Sequence, residues 1–91
     1  MVSDLQIGKL YTMKHPLLKE HRLFHFIDPT QDYCGKHISW LQNNEMFIFL
    51  ENIEVTFTFE QYRIRVLTSN GTTGWLALTN NSTRHISQVE G

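Results

Sequence analysis

The sequence predicts an all-β domain. Its apolar runs are rich in β-branched and aromatic residues, they are short and separated by turn signals, and no stretch carries a convincing helical period. The most legible stretch is Tyr62 to Leu78, where two such runs flank Asn70-Gly71. An Asn-Gly pair tolerates the positive φ that a two-residue type I′ turn demands at both central positions, so the stretch reads as a hairpin. With Asn70 and Gly71 as the loop, Ser69 faces Thr72, Val66 faces Trp75, Arg65 faces Leu76 and Ile64 faces Ala77. One face is then Tyr62, Ile64, Val66, Trp75 and Ala77, the expected core. The other carries Arg63, Arg65 and Leu67 against Gly74, Leu76 and Leu78, with arginine stems over leucines.

Taken from the start, Ile7 to Met13 reads as a first strand, with Ile7, Tyr11 and Met13 alternating against Gly8 and Thr12 while Leu10 breaks the pattern. Lys14 to His21 contains Pro16 and mixed charges, which suits a loop. Arg22 to Asp28 is a second strand ended by Asp28-Pro29-Thr30, because a proline cannot donate to a ladder. Thr30 to Lys36 is a polar loop, His37 to Leu41 returns to apolar character, and Gln42-Asn43-Asn44 turns the chain. Glu45 to Glu51 is apolar on both faces, as a covered central strand would be. Ile53, Val55, Phe57 and Phe59 then alternate with Glu54, Thr56, Thr58 and Glu60, the pattern of a half-buried strand. With no breaker before Tyr62, residues 53–67 are expected as one bent strand or as two joined at Glu60-Gln61. Thr79 to Thr83 reads as a turn or 3₁₀ segment, and Arg84 to Val89 supplies a last short strand. Strands at such short intervals point to a small barrel or sandwich.

Composition narrows the class. The chain has 91 residues, which is one domain over residues 1–91 with a single core. It is 41% hydrophobic and 19% charged, the content of a folded protein. A net charge of −1 offers no field to attract phosphate backbones, so nucleic acid is not the expected partner. One cysteine, Cys34, excludes an intramolecular disulfide and suits a reducing compartment. Neither a basic, then apolar leader nor a run of about 20 apolar residues is visible, so the expected location is the cytoplasm. Asn70-Gly71-Thr72, Asn80-Asn81-Ser82 and Asn81-Ser82-Thr83 match the glycosylation sequon but have no secretory route to use it.

Glu45 to Glu51, followed by the Asn70-Gly71 hairpin and the Gly74-Trp75-Leu-Ala-Leu strand, resembles the second half of a bacterial SH3-type domain. Leu23 to Asp28 and Ile38-Ser-Trp-Leu-Gln-Asn-Asn-Glu resemble its first half, so the likeness extends over roughly residues 7–87. Asp28-Pro29-Thr30 stands where that family has an Arg-Ser-Gly-Pro-like run, and Asn52 to Gln61 is longer than the family's connection. A weaker resemblance is to small uncharacterised proteins of tailed phages. The resemblance implies an SH3-like barrel of five to seven short antiparallel strands, and a phage origin would place the protein in the host cytoplasm or the virion. No ligand role of the family is carried onto a residue here.

His21, His25, Cys34 and His37 are the imaginable zinc donors, but they are scattered and lack a Cys-x-x-Cys pair, so no metal or other cofactor is expected. Cys34 and His37 have no assured contact and no oxyanion-hole motif beside them, Asp4, Asp28, Asp32 and Glu45 form no acid/base pair, and no glycine loop cradles a phosphate. An enzyme is not expected. Arg63, Arg65, Lys36, Lys9, Tyr11 and Phe24 are the cations and rings a single-strand binder would use, against the plainer reading that Arg63 and Arg65 face solvent. Tyr33 and Trp40, beside polar loops, are candidates for a peptide groove, whereas Trp75 reads as core. Val55, Phe57 and Phe59 exceed what so small a barrel encloses and form a candidate interface stripe. The expected function is a non-enzymatic interaction or assembly module, associating with a protein partner or with a second copy as a homodimer. A nucleic-acid-binding small barrel is the alternative.

Overall fold

A computed structural model describes residues 5–32 and 35–89. The chain forms β1 (Leu10–Met13), β2 (Glu20–His25), β3 (Lys36–Gln42), β4 (Met46–Glu54), β5 (Tyr62–Thr68), β6 (Thr73–Leu78), one helical turn α1 (Asn80–Thr83) and β7 (Ile86–Gln88). All seven strands belong to one antiparallel sheet in the order β3-β2-β6-β5-β4-β1-β7, which does not close on itself. The all-β expectation holds.

The sheet curls around its core. Leu23 and Leu41 from β2 and β3 share one buried cluster with Tyr11 and Met13 from β1, although these strands stand far apart in the order. Phe47, Phe49, Ile64, Val66, Leu76 and Leu78 from the central strands complete it. The turn between β3 and β4 docks on the end of β1, because the Asn44 N–H donates to the Met13 carbonyl at 2.9 Å. Asn44 holds φ at 67°, which asparagine tolerates better than other side-chain-bearing residues.

The central hairpin differs from its sequence reading by one residue. Arg65 pairs with Trp75, Ile64 with Leu76 and Val66 with Gly74, and the loop is Ser69-Asn70-Gly71, closed by the Thr68 N–H donating to the Thr72 carbonyl at 2.8 Å. Only Gly71 has positive φ, at 86°, so the type I′ turn is replaced by the three-residue loop whose last residue is left-handed. Since strand side chains alternate, this slip exchanges the faces of β6 relative to β5. Leu76 and Leu78 enter the core, and Trp75 and Ala77 share the outer face with Arg63 and Arg65.

Residues 55–59 do not continue the strand. β4 ends at Glu54, opposite Tyr62, and the Val55 N–H donates to the Gln61 carbonyl at 2.8 Å as the last rung. A strand needs a partner for its backbone groups, and β5 returns before Phe57 and Phe59 can have one. Val55, Phe57 and Phe59 therefore lie in a connection rather than on one alternating face. Phe57 comes to rest 4.8 Å from the Arg63 guanidinium, while Phe59 is 88% exposed.

Two bulges adjust the faces. An extra residue at Leu50 in β4 turns Glu51 outward, opposite Arg65, where simple alternation from Phe47 and Phe49 would aim it at the core. Another at Ile38 in β3 brings His37 opposite Phe24.

Candidate interaction surface

The outer face of the curled sheet gathers its rings by register. His37 pairs with Phe24, Phe24 with Trp75, Trp75 with Arg65 and Arg65 with Glu51, so five residues from five strands lie in one row. Trp75 at the middle of this row is buried, so its core-like burial is real but lies outside the main core cluster. In the next row Trp40 pairs with Arg22, and the Arg22 guanidinium sits 5.6 Å from the indole centroid. The His37 ring meets Trp40 edge to face at 4.6 Å, held by its Nε2–H donating to the Ser39 carbonyl at 2.8 Å, which sets the tautomer.

β2 and β6 touch at the single register pair Phe24 and Trp75. Their backbones are closest near Gly74, where an added Cβ would lie 3.0 Å from the Leu23 Cβ. Beyond this pair, toward Ala77, the surface opens into two grooves, each of about 660 Å³. One runs past Trp40 to His15, His21 and the core residues Met13, Leu76 and Leu78, the other past Phe26, Phe57 and Phe59, and the two share Arg22, Phe24 and Ala77.

One side chain anchors this surface from below. Arg63 is 1% exposed and donates twice to the Glu60 carboxylate, from Nε at 3.2 Å and from an Nη at 2.8 Å. Its other Nη donates to the carbonyls of Pro29 and Gln31, both at 2.9 Å. The guanidinium lies between the rings of Phe26, at 3.9 Å, and Phe57. It thus ties β5 to the connections that follow β2 and β4, which is what holds Phe26 and Phe57 in the groove wall. The first of these connections is itself stiffened where the Asp28 carboxylate accepts from the Thr30 hydroxyl at 2.6 Å and the Thr30 N–H at 3.0 Å. Those bonds hold the Asp28 carboxyl below its ordinary pKa.

Of the sequence-based candidates, Trp40 lines the first groove and Phe57 and Phe59 line the second, which adjoins it at Arg22, Phe24 and Ala77. Val55 is half-buried at the last rung, and Tyr33 and Cys34 lie outside the described residues. The cations and rings assembled for a nucleic-acid face do not converge. Arg63 is buried, Arg65 pairs with Glu51 at 3.3 Å, and Tyr11 is in the core on the other side of the sheet order from Phe24. Of the imagined zinc donors, His21 is buried, His25 is exposed at the far end of β2, and His37 is bonded to Ser39. Among the described residues, no three of His, Cys, Asp and Glu are grouped to hold a metal ion, and no helix is long and apolar enough to cross a membrane. Arg22 and His37 were not singled out from the sequence as groove residues, although Arg22-Leu23-Phe24 already shows the alternation that sets Arg22 beside Phe24.

No protein-family model, curated protein or solved structure matches the chain.

Proposed function

We propose that the chain is a non-enzymatic interaction module on an SH3-like barrel, holding an extended segment of another protein in the outer grooves and serving in assembly. The observation that carries this reading is the line of neighbouring rings Trp40, His37 and Phe24 along two connected grooves, with the exposed Phe59 in the wall of the second. Flat rings at fixed spacing give an extended chain apolar contact without requiring it to fold first. Arg22 adds a cation with no ion pair among the described residues, poised over Trp40 for a backbone carbonyl or a carboxylate. The SH3-like assignment rests on the β4-β5-β6 meander, the Gly74-Trp75 strand and the single helical turn α1 after it. The cytoplasm is the proposed location, or the virion if a phage encodes the chain.

A nucleic-acid-binding small barrel is the weaker reading, because Arg63 and Arg65 are engaged by Glu60 and Glu51. Selection of displayed random peptides against the chain tests the proposal. Selected peptides should bind the parent and lose at least about tenfold in affinity to Trp40→Ala, about 1.4 kcal/mol, as a hot-spot ring would. Ile7→Ala, an exposed site outside the grooves, should leave binding intact. A homodimer in sedimentation that Phe59→Ser dissociates would instead assign the surface to a second copy.

A further inference from the structure

Three histidine rings meet where the chain ends close on themselves. His15 lies in the connection after β1, His21 on β2 and His85 just before β7. The His15 ring is 4.7 Å from that of His85 and 6.2 Å from that of His21, both edge to face. Asn43 joins the first two. Its Oδ1 accepts from the His15 N–H at 3.1 Å and from His21 Nε2 at 2.8 Å, while its Nδ2 donates to the carbonyls of His15, at 2.9 Å, and Leu18.

These bonds define where the protons are. Because the Asn43 oxygen is the acceptor, His21 carries its hydrogen on Nε2. His15 Nδ1 accepts from the backbone N–H groups of Leu17 and Leu18 at 3.1 and 3.2 Å, so its hydrogen is on Nε2 as well. A second proton on His15 would have to enter between two N–H groups already aimed at that nitrogen. Both bonds would break, and with them the turn over residues 15–18.

The charged surroundings offer no compensation. Arg84 precedes His85, the Lys14 N–H donates to the His85 carbonyl at 3.0 Å, and Lys19 and Glu20 line the groove with His15 and His21. Glu20 is occupied by the Gln42 amide at 3.1 Å, and no carboxylate pairs with any of the three rings among the described residues. Burial first, then the neighbouring His15, Arg84 and His21, hold the His85 pKa below the ordinary imidazole value.

β7 is three residues long and forms the sheet edge, paired to β1 alone. Its ladder begins at the Lys14 to His85 bond beside the cluster and ends where the Val89 N–H donates to the Leu10 carbonyl at 2.9 Å. We propose that His15, His21 and His85 form a proton-operated latch that releases β7 from β1 in mild acid while the rest of the sheet stays folded. Release frees the backbone edge of Leu10–Met13, which can then receive a strand from another chain.

The sign follows from where protons bind. The closed form holds the His85 pKa low, whereas a released segment titrates near pH 6.5, so the latch is closed above that value and opens as pH falls below it. Each ring whose second proton the closed form excludes raises the release constant about tenfold between pH 7.5 and 5.5.

Amide exchange on the full ¹⁵N-labelled chain, corrected for intrinsic rates, reads this directly. Protection of the Lys14 and Val89 amides should fall by about tenfold or more from pH 7.5 to 5.5, while that of Thr68 in the central hairpin is unchanged. His85→Gln should flatten the pH response, and His25→Gln, outside the cluster, should leave it as in the parent. Loss at Lys14 and Val89 that only tracks Thr68 would overturn the latch, as would a full response retained in His85→Gln. Ring titration of the parent gives a check independent of any variant. His85 titrating at or above pH 6.5 in the folded chain would overturn it too.

Discussion

Replacing Arg63 by methionine keeps most of the side-chain volume and removes the charge, which isolates what the guanidinium does. The substitution leaves the Glu60 carboxylate, 17% exposed, without its bidentate partner and strips two donors from the carbonyls of Pro29 and Gln31. Breaking a buried charge pair from one side destabilises by about 3–5 kcal/mol, because the remaining charge stays desolvated. A domain of 91 residues has a total stability of about 5–14 kcal/mol, so the loss is a large share of it. At about 4–8 °C per kcal/mol, the melting temperature should drop by at least about 12 °C. Arg65→Met is the internal control, on the same strand face two residues on. Its side chain and that of Glu51 are 42% and 43% exposed, although the Nε that faces Glu51 is itself covered, so the change should cost about 1 kcal/mol or less. Thermal melts followed by circular dichroism, with urea titrations for the free energies, separate the two. Should both variants melt alike, or Arg63→Met within about 4 °C of the parent, Arg63 is not the tie described. Glu60→Gln combined with Arg63→Met should cost less than the sum of the single changes, with a coupling of about 0.5–3 kcal/mol.

Other substitutions test the turns and the strand crossing. Gly71→Val places a β-branched residue at φ 86° and should lose about 1–3 kcal/mol in urea titrations; a melt equal to the parent's would show that the loop does not need that conformation. Gly74→Ala sets a methyl 3.0 Å from the Leu23 Cβ and should destabilise by about 1–3 kcal/mol while shifting the amides of β2, and no change would mean that β2 and β6 part freely. Asp28 has its pKa depressed, so its contribution is present above about pH 3.8 and is lost as pH falls through the folded value. Thr30→Val should therefore lower stability at pH 7 more than at pH 2, and equal losses at both would contradict the bonding assigned to Asp28.

The meander was legible because its signals are local. Asn70-Gly71 marks a reversal and the runs around it are β-branched and apolar, so β5 and β6 were placed from adjacent residues alone. Their register was not, since a glycine at position 71 serves a two-residue loop and a three-residue loop equally, and choosing between them decides whether Trp75 or Leu76 faces the core. The greater summed apolar character of Leu76 and Leu78 over Trp75 and Ala77 was the available clue. Val55, Phe57 and Phe59 alternate as a strand does, but alternation says nothing about whether a partner strand continues alongside. Arg63 looked like a solvent-facing cation because most of what buries it is distant in the chain: Phe26, Pro29 and Gln31 lie more than thirty residues away. Glu60, three residues before it, was the one nearby sign. The histidine cluster joins residues 15, 21 and 85 through an asparagine at 43, and no window of sequence contains that arrangement.

We propose that the aromatic grooves hold an extended protein segment. That binding is tested most directly by titrating the ¹⁵N-labelled chain with a pool of proline-rich decapeptides and, separately, with single-stranded oligothymidine at physiological salt. Peptides should shift the amides of residues 22–24, 37–40 and 57–60 and the indole N–H of Trp40 and leave β7 unmoved, and oligothymidine should shift nothing. Shifts of those amides by oligothymidine that fade with added salt, with the peptides inert, would contradict it.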